Sequence, residues 1–232
     1  MNYKAFVLLS GGVDSTTCLA IAVDRYGAEN VVGLFMHYGQ KHEKEYHSAC
    51  AVADHYGIRV LEQDLSSAFS FSDCTLLKGN KAIEHSSYHD QLSRMGGEGT
   101  VATYVPFRNG LFLASAAAVG ISVHAEVVMY GAHADDAAGR AYPDCTPEFE
   151  KAMCEAIYEG SGRTIHMEAP LINMTKAEVV GVGLRLSAPY KHTWSCYEGG
   201  DKPCGKCGTC IDRAHAFAVN GVKDPAISES EV

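Results

Sequence analysis

Apolar runs of strand length alternate with stretches of helical spacing along most of the chain. Ala5–Leu9 is an unbroken apolar run, and a helix pattern follows from about Asp14 to Tyr26. A second run, VVGLFMHYG, begins at Val31. Between Glu43 and Tyr56, the residues Tyr46, Ala49, Ala53 and Tyr56 recur at helical spacing, and Gly57 offers a C-terminal stop. IRVLEQDL, from Ile58, has the length and composition of a short strand. After Asn109 an Ala-rich helix runs to about Ser122, and AEVVMYGA, Ala125–Ala132, predicts a further strand. This alternation predicts an α/β fold: a parallel sheet with helices on both faces. Ligands of such sheets sit beyond the carboxyl ends of the strands. Ser10–Gly12, His37–Gln40 and Gly131–Asp136 all fall at such ends and are expected to converge on one site.

Ser66–Thr100 breaks the pattern. It is polar, carries Gly79, Gly96, Gly97 and Gly99, and shows no sustained periodicity. A long irregular insertion of this kind reads as a functional lid or a mobile surface loop. The tail from Asp224 is expected to fray.

Composition narrows the class. At 232 residues and 47% apolar, the chain suits one domain spanning 1–232. A formal net charge of −9 argues against non-specific coating of nucleic acid, which needs basic residues on phosphates. A small-molecule substrate is the better expectation. The first residues, MNYKAFVLLSGG, lack a signal peptide's long apolar core and cleavage site, and Gly110–Val123 is too short to span a membrane. A cytoplasmic protein without membrane or nucleic-acid partners is expected.

Four of the nine cysteines cluster: Cys196, then Cys204, Cys207 and Cys210 at two-residue gaps. Such a cluster in a reducing compartment binds metal more often than it forms disulfides. Gly205 and Gly208 give the thiolates room to turn onto one ion. A Zn²⁺ held by all four would be tetrahedral, closed and structural, pinning a loop over 195–211. An iron–sulfur cluster is the rival occupant, because a C-x2-C-x2-C run also serves that chemistry.

Ser10-Gly11-Gly12 lies between a strand and a helix, as phosphate-binding loops do. Glycines let the backbone approach an anion, the helix supplies its positive end, and Ser10, Ser15 and Thr16 add hydroxyls. The lysine that usually closes such a loop is absent; Asp14-Ser15 stands there. The same residues would also serve a plain strand–turn–helix junction capped by Asp14.

The string S-G-G-x-D-S resembles the pyrophosphate loop of the ATP pyrophosphatase, or PP-loop, superfamily. Further stretches follow in order: YVPFRN (104–109), GAHADDAAGRAYPDC (131–145), APLINMTKAEVV (169–180) and the cysteine cluster. Together they resemble the 7-cyano-7-deazaguanine synthase family, from the first strand to about Pro225. The resemblance implies a Rossmann-like fold of the adenine nucleotide alpha-hydrolase type. It implies conversion of 7-carboxy-7-deazaguanine and ammonia to the nitrile, the queuosine precursor, through an adenylated carboxylate and then an adenylated amide. ATP would be cleaved to AMP and pyrophosphate, with Mg²⁺, one structural Zn²⁺ and a homodimeric enzyme.

Carried over by motif, Ser10, Gly11, Gly12, Asp14 and Ser15 would hold pyrophosphate. Leu9, Val13, Thr16, Thr17, Cys18 and Leu19 would flank them. Arg108 and Asn109 would lie against ATP. Asp14, Ser15 and Lys176 are the expected catalytic residues, Lys176 replacing the missing loop lysine. Tyr142, Asp144 and Cys145 would form the substrate turn, with Asp144 accepting the N–H and amine of one deazaguanine edge. Asp135 and Asp136 could bind Mg²⁺ or steer ammonia. Two departures from the family pattern stand out: Phe107, where glycine is expected, and Gly139-Arg140-Ala141 before the turn. A tRNA thiolase, an amide-forming or conjugating variant, and a non-catalytic zinc or iron–sulfur adapter are the alternatives. The thiolase would need a reactive cysteine near the loop, and Cys18 is buried by periodicity.

Overall fold

In the computed structural model, residues 3–79 and 81–228 are described. Residues 1, 2, 80 and 229–232, which belong to the expected domain, N-terminal stretch, insertion and tail, lie outside them. In chain order the elements are β1 (Ala5–Leu8), α1 (Val13–Tyr26), β2 (Val31–His37), α2 (Lys44–Tyr56), β3 (Arg59–Asp64), α3 (Tyr88–Arg94) and α4 (Arg108–Ser122). There follow β4 (Val127–Met129), α5 (Ala134–Ala137), α6 (Pro147–Gly160), β5 (His166–Glu168), α7 (Lys176–Arg185), α8 (Gly208–Val219) and α9 (Pro225–Ser228).

All five strands are parallel, in the order β3-β2-β1-β4-β5. Successive residues of a strand point to opposite faces, and β1 shows the consequence. Ala5, Val7 and Leu9 join Leu19 of α1, Val52 of α2 and Val179 of α7 in one core. Phe6 joins Leu113 of α4 and Ile157 of α6 in the other. Two apolar layers therefore enclose the sheet, as the unbroken apolar run Ala5–Leu9 predicts for a strand buried on both faces. Gly57 ends α2 in the left-handed conformation, φ 66°. The expected strand Ala125–Ala132 shortens to Val127–Met129; at its start the Ala125 N–H turns back to the Gly120 carbonyl at 2.9 Å.

The strand order reverses between β1 and β4, so a crevice opens beyond their carboxyl ends. The loop after β1 and the segment Gly131–Asp136 after β4 flank that crevice.

The insertion is tied to the body. Lys41 N–H donates to the Leu76 carbonyl (3.1 Å) and Lys78 N–H to that of Gly39 (2.9 Å). Phe69, Cys74, Leu76, Leu77 and Ile83 share a buried cluster with Tyr38, Val105 and the cysteines Cys196, Cys207 and Cys210. The insertion and the cysteine loop thus form one small core between them. The tail also departs from expectation. Asp224 accepts from Arg213 Nε at 2.6 Å and Nη2 at 2.9 Å, with both side chains 6% exposed, and α9 follows. Among the described residues, no helix is long and apolar enough to cross a membrane.

Candidate active site

The loop after β1 is shaped by close approach. Gly11 adopts φ +78°, and a Cβ there would lie 2.5 Å from the Ala49 nitrogen and the Glu45 carbonyl oxygen of α2. Gly12 is the N-cap of α1, with no side-chain hydrogen bond capping the helix. Backbone N–H groups at this terminus are therefore left for an anion. Ser15 Oγ donates to the Gly12 carbonyl (3.2 Å) and lies 3.1 Å from Ser10 Oγ, which braces the turn. Leu9, Ser10, Gly12, Asp14 and Ser15 line a cavity of about 220 Å³. Gly11, Val13, Thr16, Thr17, Cys18 and Leu19 stand behind it, and Thr17 Oγ1 is held by Tyr190 Oη at 2.6 Å.

Lys176 comes to this loop from α7, which packs beside α1 on the same face of the sheet. It opens α7 after a capping box in which Thr175 and Glu178 exchange hydrogen bonds. Its Nζ lies 2.6 and 2.5 Å from the two Asp14 carboxylate oxygens and 3.4 Å from His133 Nε2. Burial pushes the Asp14 carboxyl up, but the Lys176 ammonium and His133 more than offset this and hold it below the usual range. Gly131 permits the approach of the β4 loop: a Cβ there would meet the Asp14 carbonyl at 2.9 Å. Of the two expected acids, Asp135 accepts the Lys176 backbone N–H at 2.7 Å and so anchors α7. Asp136 faces the cavity, its Oδ2 3.3 Å from His133 Nε2.

The Tyr142–Cys145 turn reaches the same cavity through its two end residues. Tyr142 and Cys145 line it, and the Tyr142 hydroxyl is 2.6 Å from Thr103 Oγ1. Asp144 is 3% exposed and does not line it. Its Oδ2 accepts the Asn109 backbone N–H at 2.8 Å, while Asn109 Nδ2 donates to the Asp144 carbonyl and the Cys145 sulfur, both at 3.2 Å. Asp144 thus locks the start of α4 to the turn. Burial raises its carboxyl pKa despite the nearby Arg108 charge. Arg108 and Asn109 line the cavity. Phe107 precedes them at φ 55°, a conformation that favours glycine, and its ring meets Phe149 edge-on at 5.9 Å. Arg140 points away, pairing with Glu98 of the insertion at 3.5 Å.

The four cysteine sulfurs lie within 4.8 Å of one another. A tetrahedral ion with about 2.3 Å metal–sulfur bonds places its ligands about 3.8 Å apart, so the donor set fits such an ion after a small contraction. Backbone N–H groups of Cys204 and Cys207 already point at the Cys196 and Cys204 sulfurs, both at 3.3 Å. The cluster is joined to the phosphate-type loop, because the Trp194 N–H donates to the Gly11 carbonyl at 3.0 Å.

The protein-family model described as "Queuosine biosynthesis protein QueC" matches residues 4–221. The chain belongs to the QueC family. It is 42% identical over 229 residues to a 7-cyano-7-deazaguanine synthase of Archaeoglobus fulgidus, covering 98% of this chain and 91% of the relative. It is 38% identical to a protein of that name from Caldicellulosiruptor saccharolyticus, covering 99% and 97%. Among solved structures, the glutamine-dependent NAD+ synthetase of Acinetobacter baumannii in complex with ADP overlaps 58% of this chain and 22% of its own. That overlap has 20% identity and a TM-score of 0.39, too loose to bear on ligands or activity.

Several cavity residues of this QueC-family chain escaped the motifs. Trp194, Ser195, Tyr197, Thr209 and Asp212 come from the cysteine loop and α8, and Tyr88 from the insertion. The Tyr88 and Tyr197 hydroxyls meet at 2.6 Å, which closes the cavity wall between the two segments. Burial pushes the Asp212 carboxyl up to about 6; Lys176 opposes this, and Asp136 adds to it. No periodicity announces these positions. They become visible only once the cysteine loop is known to fold over the sheet's end.

Proposed function

We propose that this chain converts 7-carboxy-7-deazaguanine and ammonia to 7-cyano-7-deazaguanine, as its relatives' name describes, with ATP cleaved to AMP and pyrophosphate at each of two stages. One observation carries the proposal: a single cavity joins the uncapped start of α1, the Asp14–Lys176 pair, Arg108–Asn109 and the Tyr142–Cys145 turn. Oxide is too poor a leaving group for ammonia to displace from a carboxylate. The substrate carboxylate therefore attacks the α-phosphorus, pyrophosphate leaves toward the loop and Lys176, and ammonia then displaces AMP. The amide oxygen is adenylated in turn, and departure of AMP with the nitrogen's protons leaves the nitrile. No enzyme nucleophile is required; alignment and charge stabilisation are.

In this scheme Ser10, Gly12 and Ser15 cradle pyrophosphate and Lys176 neutralises it, with Asp14 orienting the ammonium. Mg²⁺ bound to the phosphates would add further neutralisation. Tyr142 and Cys145 contact the base, and Asp144 positions them through Asn109. Zn²⁺ is the ion proposed for the four cysteines, where it would hold Trp194 on the loop. A homodimer in the cytoplasm, with no nucleic-acid partner, completes the proposal. A thiolase role is disfavoured by Cys18, which is fully buried with its thiol pushed up to about 12. The test is incubation with ATP, Mg²⁺, ammonium and the carboxylate, followed by mass analysis. Nitrile with AMP is expected; ADP, or no product at all, contradicts the proposal. Metal analysis should find one zinc per chain, whereas iron would point to the cluster instead.

A further inference from the structure

Two residues with permanent positive charge line the cavity, and they are placed differently. Lys176 is bound to Asp14 at the phosphate-type loop. Arg108, on α4, lies beside the turn. Its neighbour Asn109 is bonded to Asp144 and Cys145, and its guanidinium carbon lies 5.4 Å from the Tyr38 ring centroid and 5.8 Å from that of Phe112. Among the described residues no carboxylate comes within ion-pairing distance of it. Asp144 and Glu45 act on it only from farther off. Burial alone would favour its neutral form, but Tyr38, Asp144, Cys145 and Glu45 outweigh that, so it stays charged.

A guanidinium resting on two aromatic rings with no anionic partner is prepared to receive an anion through its edge. Two anions enter the cavity under the function proposed above, and this inference rests on that function. The phosphates have the loop N–H groups and Lys176. The substrate carboxylate has nothing comparable, since Asn109, Tyr142 and Cys145 offer no positive charge and Glu45 is acidic. Burying that carboxylate without a cation would be strongly unfavourable.

We propose that Arg108 is the carboxylate clamp of this site, holding the acid substrate through paired N–H···O bonds so that one oxygen faces the α-phosphorus. The clamp serves the first stage only. The amide that enters the second stage is neutral and makes no such demand, so Arg108 separates the two halves of the reaction.

The experiment compares wild type and Arg108→Gln on two substrates supplied separately: the carboxylate with ammonium and ATP, and the corresponding amide with ATP. Arg108→Gln should lose about 100-fold or more in kcat/KM on the acid, chiefly through KM, and its loss on the amide should be at least about tenfold smaller. Arg108→Lys, which keeps the charge without the fork, should recover part of the acid activity. Thermal melting and bound metal serve as folding controls. Equal losses on acid and amide would make Arg108 an ATP ligand and overturn the clamp, as would an undiminished acid reaction. A wild type inert on both substrates would sink the parent function, and the clamp with it.

Discussion

Replacing Lys176 with methionine isolates the contact at the heart of the site. Methionine approximates the side chain's length, and the residue keeps the backbone N–H that Asp135 accepts at 2.7 Å. What disappears is the ammonium at 2.5–2.6 Å from the Asp14 oxygens. At an effective dielectric of about 20, charges at that separation attract by roughly 6 kcal/mol, most of it offset by desolvation. Breaking a buried pair costs about 3–5 kcal/mol. The Asp14 side chain is 25% exposed, so the lower end applies. A loss of about 3 kcal/mol corresponds to a fall in Tm of roughly 6–12 °C for a chain of this size.

The pH dependence has a defined sign. Asp14 is depressed in the folded state. Its contribution is therefore present above the unfolded value, about 3.9, and lost as pH falls through the lower folded value. The gap between wild type and Lys176→Met should be full at pH 7 and close below about pH 4. Pyrophosphate release should fall about 10²–10³-fold, the effect of removing one preorganised charge from a transition state. A variant within tenfold of wild type, with an unchanged Tm, would show that Lys176 neither neutralises pyrophosphate nor stabilises Asp14.

Three further outcomes are expected. Gly11→Ala, with its Cβ forced 2.5 Å from backbone atoms of α2 at φ +78°, should lose about 2 kcal/mol or more of stability and all pyrophosphate release; a folded, active variant would refute the close-approach argument. Asp224→Asn leaves the buried Arg213 charge uncompensated and should lower unfolding free energy by about 3 kcal/mol in urea titrations, with less than about 1 kcal/mol counting against it. Trp194 is the sole tryptophan and bonds both Gly11 and the Cys196 carbonyl. Stripping the metal with a chelator should shift its fluorescence to the red and abolish turnover together, whereas a shift without loss of turnover would uncouple the metal loop from the site.

Strands, major helices and their convergence were legible because each buries a regular face: Ala5–Leu9 reads as a central strand, and the α2 spacing ends at a glycine that is indeed left-handed. Phe107 is instructive in the same way. The glycine expected there from the family resemblance would suit the left-handed backbone found at that position, and the phenylalanine packs against Gly110 and Phe149 instead. The insertion was illegible because Leu76, Leu77 and Ile83 anchor it singly rather than along a periodic face. Asp144 illustrates a different limit. A carboxylate in a turn looks the same in sequence whether it meets a ligand or caps a helix, and only its bond to the Asn109 N–H distinguishes the two. Asp212 and Tyr197 depend on long-range folding of the cysteine loop over the crevice, which no local pattern encodes.

The most direct measurement follows oxygen. With both carboxylate oxygens of the substrate labelled with ¹⁸O, attack on the α-phosphorus transfers one to AMP at the first stage and the other at the second. Mass analysis should find one ¹⁸O in the AMP released at each stage and none in pyrophosphate. Label in inorganic phosphate, formation of ADP, or unlabelled AMP beside finished nitrile would contradict adenylation in this cavity.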